Sequence, residues 1–377
     1  AVAVASGPPA QIATLILPAD VSWSEGGVPA SPVAPAAPTP VDPDAVAAIA
    51  AVLQGDEPAA LFIGGRACRA DALVDASRVA NTTGAKLMAE TFPARIERGA
   101  GRVPVDRLAY LAEFAAMQLD GLKHLVLVDS KAPVSFFAYP GKASDLVPEG
   151  CTVHVLADQA GDPAAALAAL ADAVGAAPDA ATIQAEVRPP LPSGPLTADG
   201  VCQALGALLP EGAIVSDEGN TSGLFAAGHT AGAPAHDWMT LTGGAIGQGL
   251  PAAVGAAVAC PDRQVIVLES DGSAMYTMQS WWTMAREELD VITVLFNNAS
   301  YAVLNMELNR VGATEGGPKA KEMLDLTRPT MDFVSMAQGC GVPATRATTA
   351  EEFIEQFQAA LAAKGPHVIE CIVPSII

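Results

Sequence analysis

From about residue 45 onward, short unbroken apolar runs alternate with longer stretches of helical period. That alternation restricts the chain to α/β architecture, with parallel sheets buried on both faces by helices. In the first block a helical run at 45–53 precedes the strand Ala60–Gly64. A helix near 70–83, a short strand near 85–88 and a helix near 106–117 follow. The strands His124–Val128 and Thr152–Leu156 and an Ala-rich helix at 163–174 complete it. A second block repeats the alternation, with strands at 213–216, 264–268, 291–296 and 367–373. Its helices are expected near 199–209, 251–259, 278–288, 301–309, 331–339 and 351–363. The fold class expected is therefore two doubly wound parallel-sheet domains, and 377 residues suit two domains at roughly 150 each with some chain left over.

Two Pro-rich stretches mark the boundaries. Pro29, Pro32, Pro35, Pro38, Pro40 and Pro43 make a stiff extended linker over 21–44, and Pro189, Pro190, Pro192 and Pro195 make a second over 176–196. The domains are then 45–175 and 197–377. Ahead of the first linker, Ile12–Leu17 reads as one β-strand within residues 1–20. A lone strand cannot bury its faces, so it is expected to belong to a domain otherwise missing from this chain.

Acidic residues number 41 against 20 basic ones, for a formal charge of −21. That field repels nucleic acid and anionic lipid, so neither is expected as a partner. The stretch Trp238–Pro261 is uncharged and long enough to cross a bilayer, but five glycines and Pro251 fit a Gly-rich loop leading into a helix. Six scattered cysteines without a CxxC pair, and an N-terminus with no basic leader, point to a reduced, cytoplasmic protein. The missing initiator Met suggests an incomplete gene product. There is no HExxH, no GxSxG and no GxGxxG at the Gly64-Gly65 turn. A zinc hydrolase, a nucleophile-elbow hydrolase and a nucleotide-binding oxidoreductase therefore have no local support.

The chemistry concentrates where two apolar strands end in small polar residues: Val265 to Ser273, and Val291 to Asn298. With a helix between them they form one βαβ unit, whose right-handed crossover brings both carboxyl ends to one edge of the sheet. Asp271 and Asn298, 27 positions apart, should therefore be neighbours at the edge where open α/β sheets bind ligands. One carboxylate and one amide oxygen suit a hard cation, Mg²⁺ or Ca²⁺, with water and a phosphate completing its shell. The turn Asp271-Gly272-Ser273 offers backbone N–H groups to such a phosphate. The plainer alternative is two ordinary loop residues after strands.

Ser-Asp-Gly-Ser followed by Asn-Asn at this separation resembles the signature of thiamine diphosphate-dependent enzymes. Thr242 to Ala253 resembles the loop that holds the aminopyrimidine ring, and Asp217 to Ser222 the turn that contacts the diphosphate. The pattern resembles those of benzoylformate decarboxylase and the acetolactate synthase large subunit. The resemblance covers 197–377 and extends to the central domain. It implies that Asp271, Asn298 and the backbone carbonyl of Ser300 bind Mg²⁺. Gly272 and Ser273 would hold the diphosphate, with Thr221 and Ser222 on its other side. Gly244 would accept from the 4′-amino group, and Ile246 would be a wedge that bends the cofactor.

The implied reaction is decarboxylation of a 2-oxo acid, with or without joining the product to a second carbonyl. Leu125 to Pro140 looks more like benzoylformate decarboxylase than like the flavin-binding synthases, which points away from FAD. By the same resemblance Val303, Leu304 and Glu307 line the substrate pocket; the alternative has the two aliphatics in the core and Glu307 solvated. Trp281 and Trp282 read as core.

Two departures stand out. Ser270 replaces the first glycine of the signature. The glutamate that activates the cofactor lies, in the family, on an N-terminal pyrimidine-binding domain of which only residues 1–20 are expected here. Neither Glu218 nor Glu269 matches its context, so the resemblance implies that this glutamate comes from a further domain or a partner subunit, in a homodimer or homotetramer. The alternative to an enzyme is a non-catalytic cofactor-binding relative or fragment with an assembly role.

Overall fold

The computed structural model describes residues 1–313 and 316–376. They divide into two compact units. The first comprises 1–91, 105–136 and 144–181, and the second 92–104, 137–143 and the chain from 182 onward. Twelve strands build one sheet in each: β1 (Ala59–Ile63), β2 (Lys86–Ala89), β3 (Ile96–Arg98), β4 (Asp106–Arg107), β5 (His124–Val128), β6 (Thr152–Ala157), β7 (Ile214–Asp217), β8 (His236–Met239), β9 (Val265–Ser270), β10 (Val291–Asn297), β11 (Ala344–Ala347) and β12 (His367–Ile372).

The first unit is an all-parallel sheet in the order β4-β2-β1-β5-β6. All five residues of β1 are buried, as its unbroken apolar sequence requires of a strand covered on both faces. Helices Pro43–Leu53 and Pro163–Ala173 each begin with proline behind an aspartate cap, Asp42 and Asp162, where the absent N–H costs nothing. At the end of β1 the backbone amides of Gly65 and Arg66 are already taken by Glu90 Oε1 (3.3 Å) and Asp129 Oδ2 (2.8 Å). Two carboxylates thus stand where a dinucleotide phosphate would need those donors, which opposes a nucleotide site there.

The second unit has the order β11-β12-β10-β9-β7-β8-β3, parallel except that β3 runs antiparallel to β8. Its core packs Val265 and Val267 of β9 and Val291 and Leu295 of β10 against Leu250, Trp281, Met284 and Phe333.

Several expectations change. Ile12–Leu17 is not a strand. It has no assigned secondary structure, pairs with no strand among the described residues, and is exposed except at the half-buried Ala13. Residues 92–104, expected in the central domain, join the second unit because β3 pairs with β8. The helix expected near 106–117 begins only at Ala112, since Asp106 and Arg107 extend the sheet as β4. The helix expected at 278–288 is Ser280–Arg286, and a further short helix that was not expected, Asp271–Thr277, starts directly off β9. Trp281 is fully buried whereas Trp282 is 53% exposed beneath the Arg286 guanidinium, so only one of the pair is core. Among the described residues no helix is long and apolar enough to cross a membrane.

Candidate cofactor site at the carboxyl edge of the second sheet

β9 and β10 pair in parallel from Val265↔Val291 to Ser270↔Phe296, so their polar ends emerge side by side. Asp271 is 1% exposed. Its Oδ1 accepts from the Gly272 amide at 2.8 Å, and its Oδ2 from the Ala299 amide at 2.7 Å. The crossover therefore brings Asp271 onto the 297–300 turn as the βαβ reading requires. Ala299 holds that turn at φ +56°, a conformation that a non-glycine residue adopts only when its surroundings enforce it. Burial pushes the Asp271 carboxyl up to about 6, against the opposing pull of the amides of Gly272, Ala299, Asn298 and Ser300.

Asn298 Oδ1 accepts from the Ser300 amide at 3.0 Å, and its Nδ2 donates to Ser222 Oγ at 3.2 Å. Ser222 is buried at the start of a short helical turn directly after Thr221, so Asp271, Asn298, Ser300, Ser222 and Thr221 converge on one edge. Gly272 admits no side chain, because a Cβ there would collide with the Tyr301 ring.

Ser270, in the place of a glycine, has a use of its own. Its hydroxyl donates to the Gly219 carbonyl at 3.0 Å, and its amide donates to Ser273 Oγ at 3.3 Å. It thereby ties the end of β9 to the loop that follows β7.

The Gly-rich loop lies on the same edge. Gly243, Gly244 and Gly247 have φ of +66°, +64° and +88°, so the chain turns here in a way side chains resist. Ile246, between them, is 41% exposed and so is not a core residue. The loop ends on Glu218, whose carboxylate accepts from the amides of both Gly247 and Gly249. Glu269 lies beneath. It is fully buried, with Oε1 bound by Ser273 Oγ and the Ser270 amide and Oε2 without a hydrogen-bond partner among the described residues. Burial, then the charge of Glu218, holds the Glu269 carboxyl far above the usual range, and burial raises that of Glu218. Motif reading passed over this buried pair as cofactor activators, and both are committed inside the protein.

On helix Ala302–Arg310 the reading with two core aliphatics and a solvated Glu307 does not hold. Leu304 is 48% exposed and Val303 half-buried, so they are not core. Glu307 is not solvated: its side chain is 19% exposed, accepts from Tyr139 Oη at 2.6 Å and faces Arg310 at 3.6 Å. Arg310 in turn stacks over the Tyr139 ring, 4.5 Å from its centroid. Nothing in the sequence links Tyr139 to Glu307, since 168 positions separate them.

The residues fit a hard cation carried by a phosphate. No group of three or more His, Cys, Asp or Glu among the described residues forms a cage of its own. What the edge offers is one desolvated carboxylate, one amide oxygen and one carbonyl, a donor set that needs phosphate and water to complete it.

Residues 217–371 match the family model for the C-terminal TPP binding domain of thiamine pyrophosphate enzymes. The IlvX protein of Mycobacterium tuberculosis, provisionally named as an acetolactate synthase large subunit, is 58% identical over 373 residues, covering 97% of this chain and 71% of that protein. Benzoylformate decarboxylase of Pseudomonas aeruginosa is 34% identical over 178 residues, 47% of this chain and 32% of the enzyme. Among solved structures, the thiamine diphosphate-dependent 4-hydroxybenzoylformate decarboxylase of Rhodococcus jostii superposes with a TM-score of 0.74 at 25% identity, covering 92% of this chain and 66% of that one. The chain thus covers about two thirds of the IlvX protein and of the 4-hydroxybenzoylformate decarboxylase structure. It belongs to the thiamine diphosphate-dependent enzyme family, in the group that includes acetolactate synthase and benzoylformate decarboxylase.

Proposed function

We propose that this chain is the cofactor-holding part of a thiamine diphosphate- and Mg²⁺-dependent enzyme that decarboxylates a 2-oxo acid, with or without transfer to a second carbonyl. The observation that carries the reading is the buried carboxylate of Asp271, held on the 297–300 turn beside Asn298 and Ser222. Asp271 Oδ, Asn298 Oδ1 and the Ser300 carbonyl would ligate the cation. Gly272, Ser273, Thr221 and Ser222 would surround the diphosphate. Gly244 would accept from the aminopyrimidine, with Ile246 supporting the bend between its rings. Bound thiamine diphosphate supplies the electron sink for loss of CO₂. Val303, Leu304 and Glu307 would border the substrate, and the half-buried Tyr139–Glu307–Arg310 cluster makes the far end of that helix polar rather than apolar.

In this reading the activating glutamate comes from a further domain or from a partner subunit in a homodimer or homotetramer, in the cytoplasm. The test is CO₂ release from a panel of 2-oxo acids, including pyruvate and benzoylformate, by the full-length protein that contains this chain, supplied with thiamine diphosphate and Mg²⁺. Consumption of one acid class with matching CO₂ is expected. Saturable cofactor binding with no acid consumed would instead support a non-catalytic cofactor binder with an assembly role.

A further inference from the structure

We propose that Glu218 is a positioning residue. Its buried carboxylate clasps the amides of Gly247 and Gly249, and so fixes how Gly244 and Ile246 meet the cofactor. The inference rests on the thiamine diphosphate reading and adds to it a residue given no role there in holding the metal, the diphosphate or the aminopyrimidine.

Three observations carry it. First, the two oxygens of one carboxylate are divided between two amides: Oε1 accepts from Gly247 and Oε2 from Gly249. The carbonyls of the same two residues are pinned as well, that of Gly249 by Ser216 Oγ and that of Gly247 by Thr277 Oγ1, each at 2.9 Å. Gly247 directly follows Ile246, so the clasp sets the backbone from which the wedge projects.

Second, the sequence makes room for the clasp. A Cβ on Gly249 would stand 2.8 Å from both Glu218 Cβ and Oε2, and one on Gly247 would stand 2.7 Å from Tyr276 Cβ. Third, Glu218 is joined to the diphosphate side of the site. Its amide donates to the Leu268 carbonyl on β9 at 2.8 Å, three residues before Asp271, and Ser270 Oγ bonds the neighbouring Gly219 carbonyl. One side chain therefore holds the aminopyrimidine loop in register with the strand that carries Asp271.

A buried carboxylate is costly, and a second fully buried glutamate, Glu269, raises the cost. Two charge-assisted N–H bonds offset it only in this loop geometry. An apolar residue would fill the same space without that demand, but it would leave the loop amides without acceptors.

The experiment compares wild type with Glu218→Gln and Gly249→Ala, all as the full chain. Gln keeps the size but turns one acceptor into an N–H facing an amide N–H. Ala at 249 displaces the carboxylate from the opposite side and serves if the Gln variant fails to fold. Amide hydrogen exchange is read without cofactor, followed by affinities for thiamine diphosphate and for inorganic pyrophosphate, both with Mg²⁺. Both variants are expected to exchange the Gly247 and Gly249 amides at least about tenfold faster, and to bind thiamine diphosphate at least about tenfold more weakly. Pyrophosphate affinity should stay within about twofold.

Unchanged exchange overturns the clasp. Faster exchange with unchanged thiamine diphosphate affinity overturns the positioning role, and equal loss for both ligands reduces Glu218 to a structural residue. Wild-type chain with protected amides that binds pyrophosphate but not thiamine diphosphate overturns the cofactor reading instead, and the positioning role with it.

Discussion

Asp271→Ala is expected to abolish Mg²⁺-dependent binding of thiamine diphosphate, lowering affinity at least about 100-fold. The substitution removes the one carboxylate of the proposed donor set. It also strands the amides of Gly272 and Ala299, which Asp271 accepts at 2.8 and 2.7 Å. Each buried amide left without an acceptor costs about 1–3 kcal/mol, so the 297–300 turn that presents Asn298 and Ser300 should loosen as well. Mn²⁺ in place of Mg²⁺ makes this countable: the resonance of free Mn²⁺ falls as the ion binds. Wild type with thiamine diphosphate should take up one Mn²⁺ per chain, and Asp271→Ala none at the same concentration. Asp271→Asn should fall between them, since it keeps an acceptor for the turn but loses the charge.

The largest expected effect on stability comes from Trp281→Ala, at about 3–5 kcal/mol of unfolding free energy. Trp281 is fully buried in the core beneath β9 and β10. Its indole N–H is buried without a hydrogen-bond partner among the described residues. No hydrogen bond is therefore lost on replacing it with phenylalanine, and Trp281→Phe should cost only about 1–2 kcal/mol, through the smaller volume. At the next position Trp282→Ala should cost under about 1 kcal/mol, because that ring is half in solvent and holds only the Arg286 guanidinium. Urea unfolding of the three variants checks the order.

The strands that frame the site were legible because nothing interrupts them. β9 and β10 are buried at every residue, and a continuous apolar run ending in Asp or Asn admits few other readings. The short strands were not. β3 is Ile-Glu-Arg and β8 is His-Asp-Trp-Met, and side-chain contacts that only the folded chain creates hold them together. Arg95 and Arg263 grip Asp237 at 2.6 and 2.5 Å, and the Arg98 guanidinium lies 5.0 Å from the centre of the Trp238 ring. Polar sequence hid these strands, while apolar sequence at Ile12–Leu17 suggested a strand where the chain pairs with none.

The site divides in the same way. Asp271 and Asn298 were placed together by spacing and crossover handedness, which depend on chain topology, whereas Ser222 was brought to them only by the family resemblance. The grip of Glu218 on two backbone amides leaves no trace in the sequence, because glycine amides look alike wherever they occur. That Glu307 is not solvated was hidden for a related reason: its partner Tyr139 arrives from a distant segment.

The central claim is that the edge built from β9, β10 and the Gly-rich loop binds thiamine diphosphate through a divalent cation. Calorimetric titration of the chain with thiamine diphosphate, with Mg²⁺ and then with EDTA, tests it most directly. One saturable site per chain that disappears in EDTA is the predicted result. A folded chain that takes up no thiamine diphosphate at millimolar concentration, or that binds it equally well in EDTA, would contradict the account.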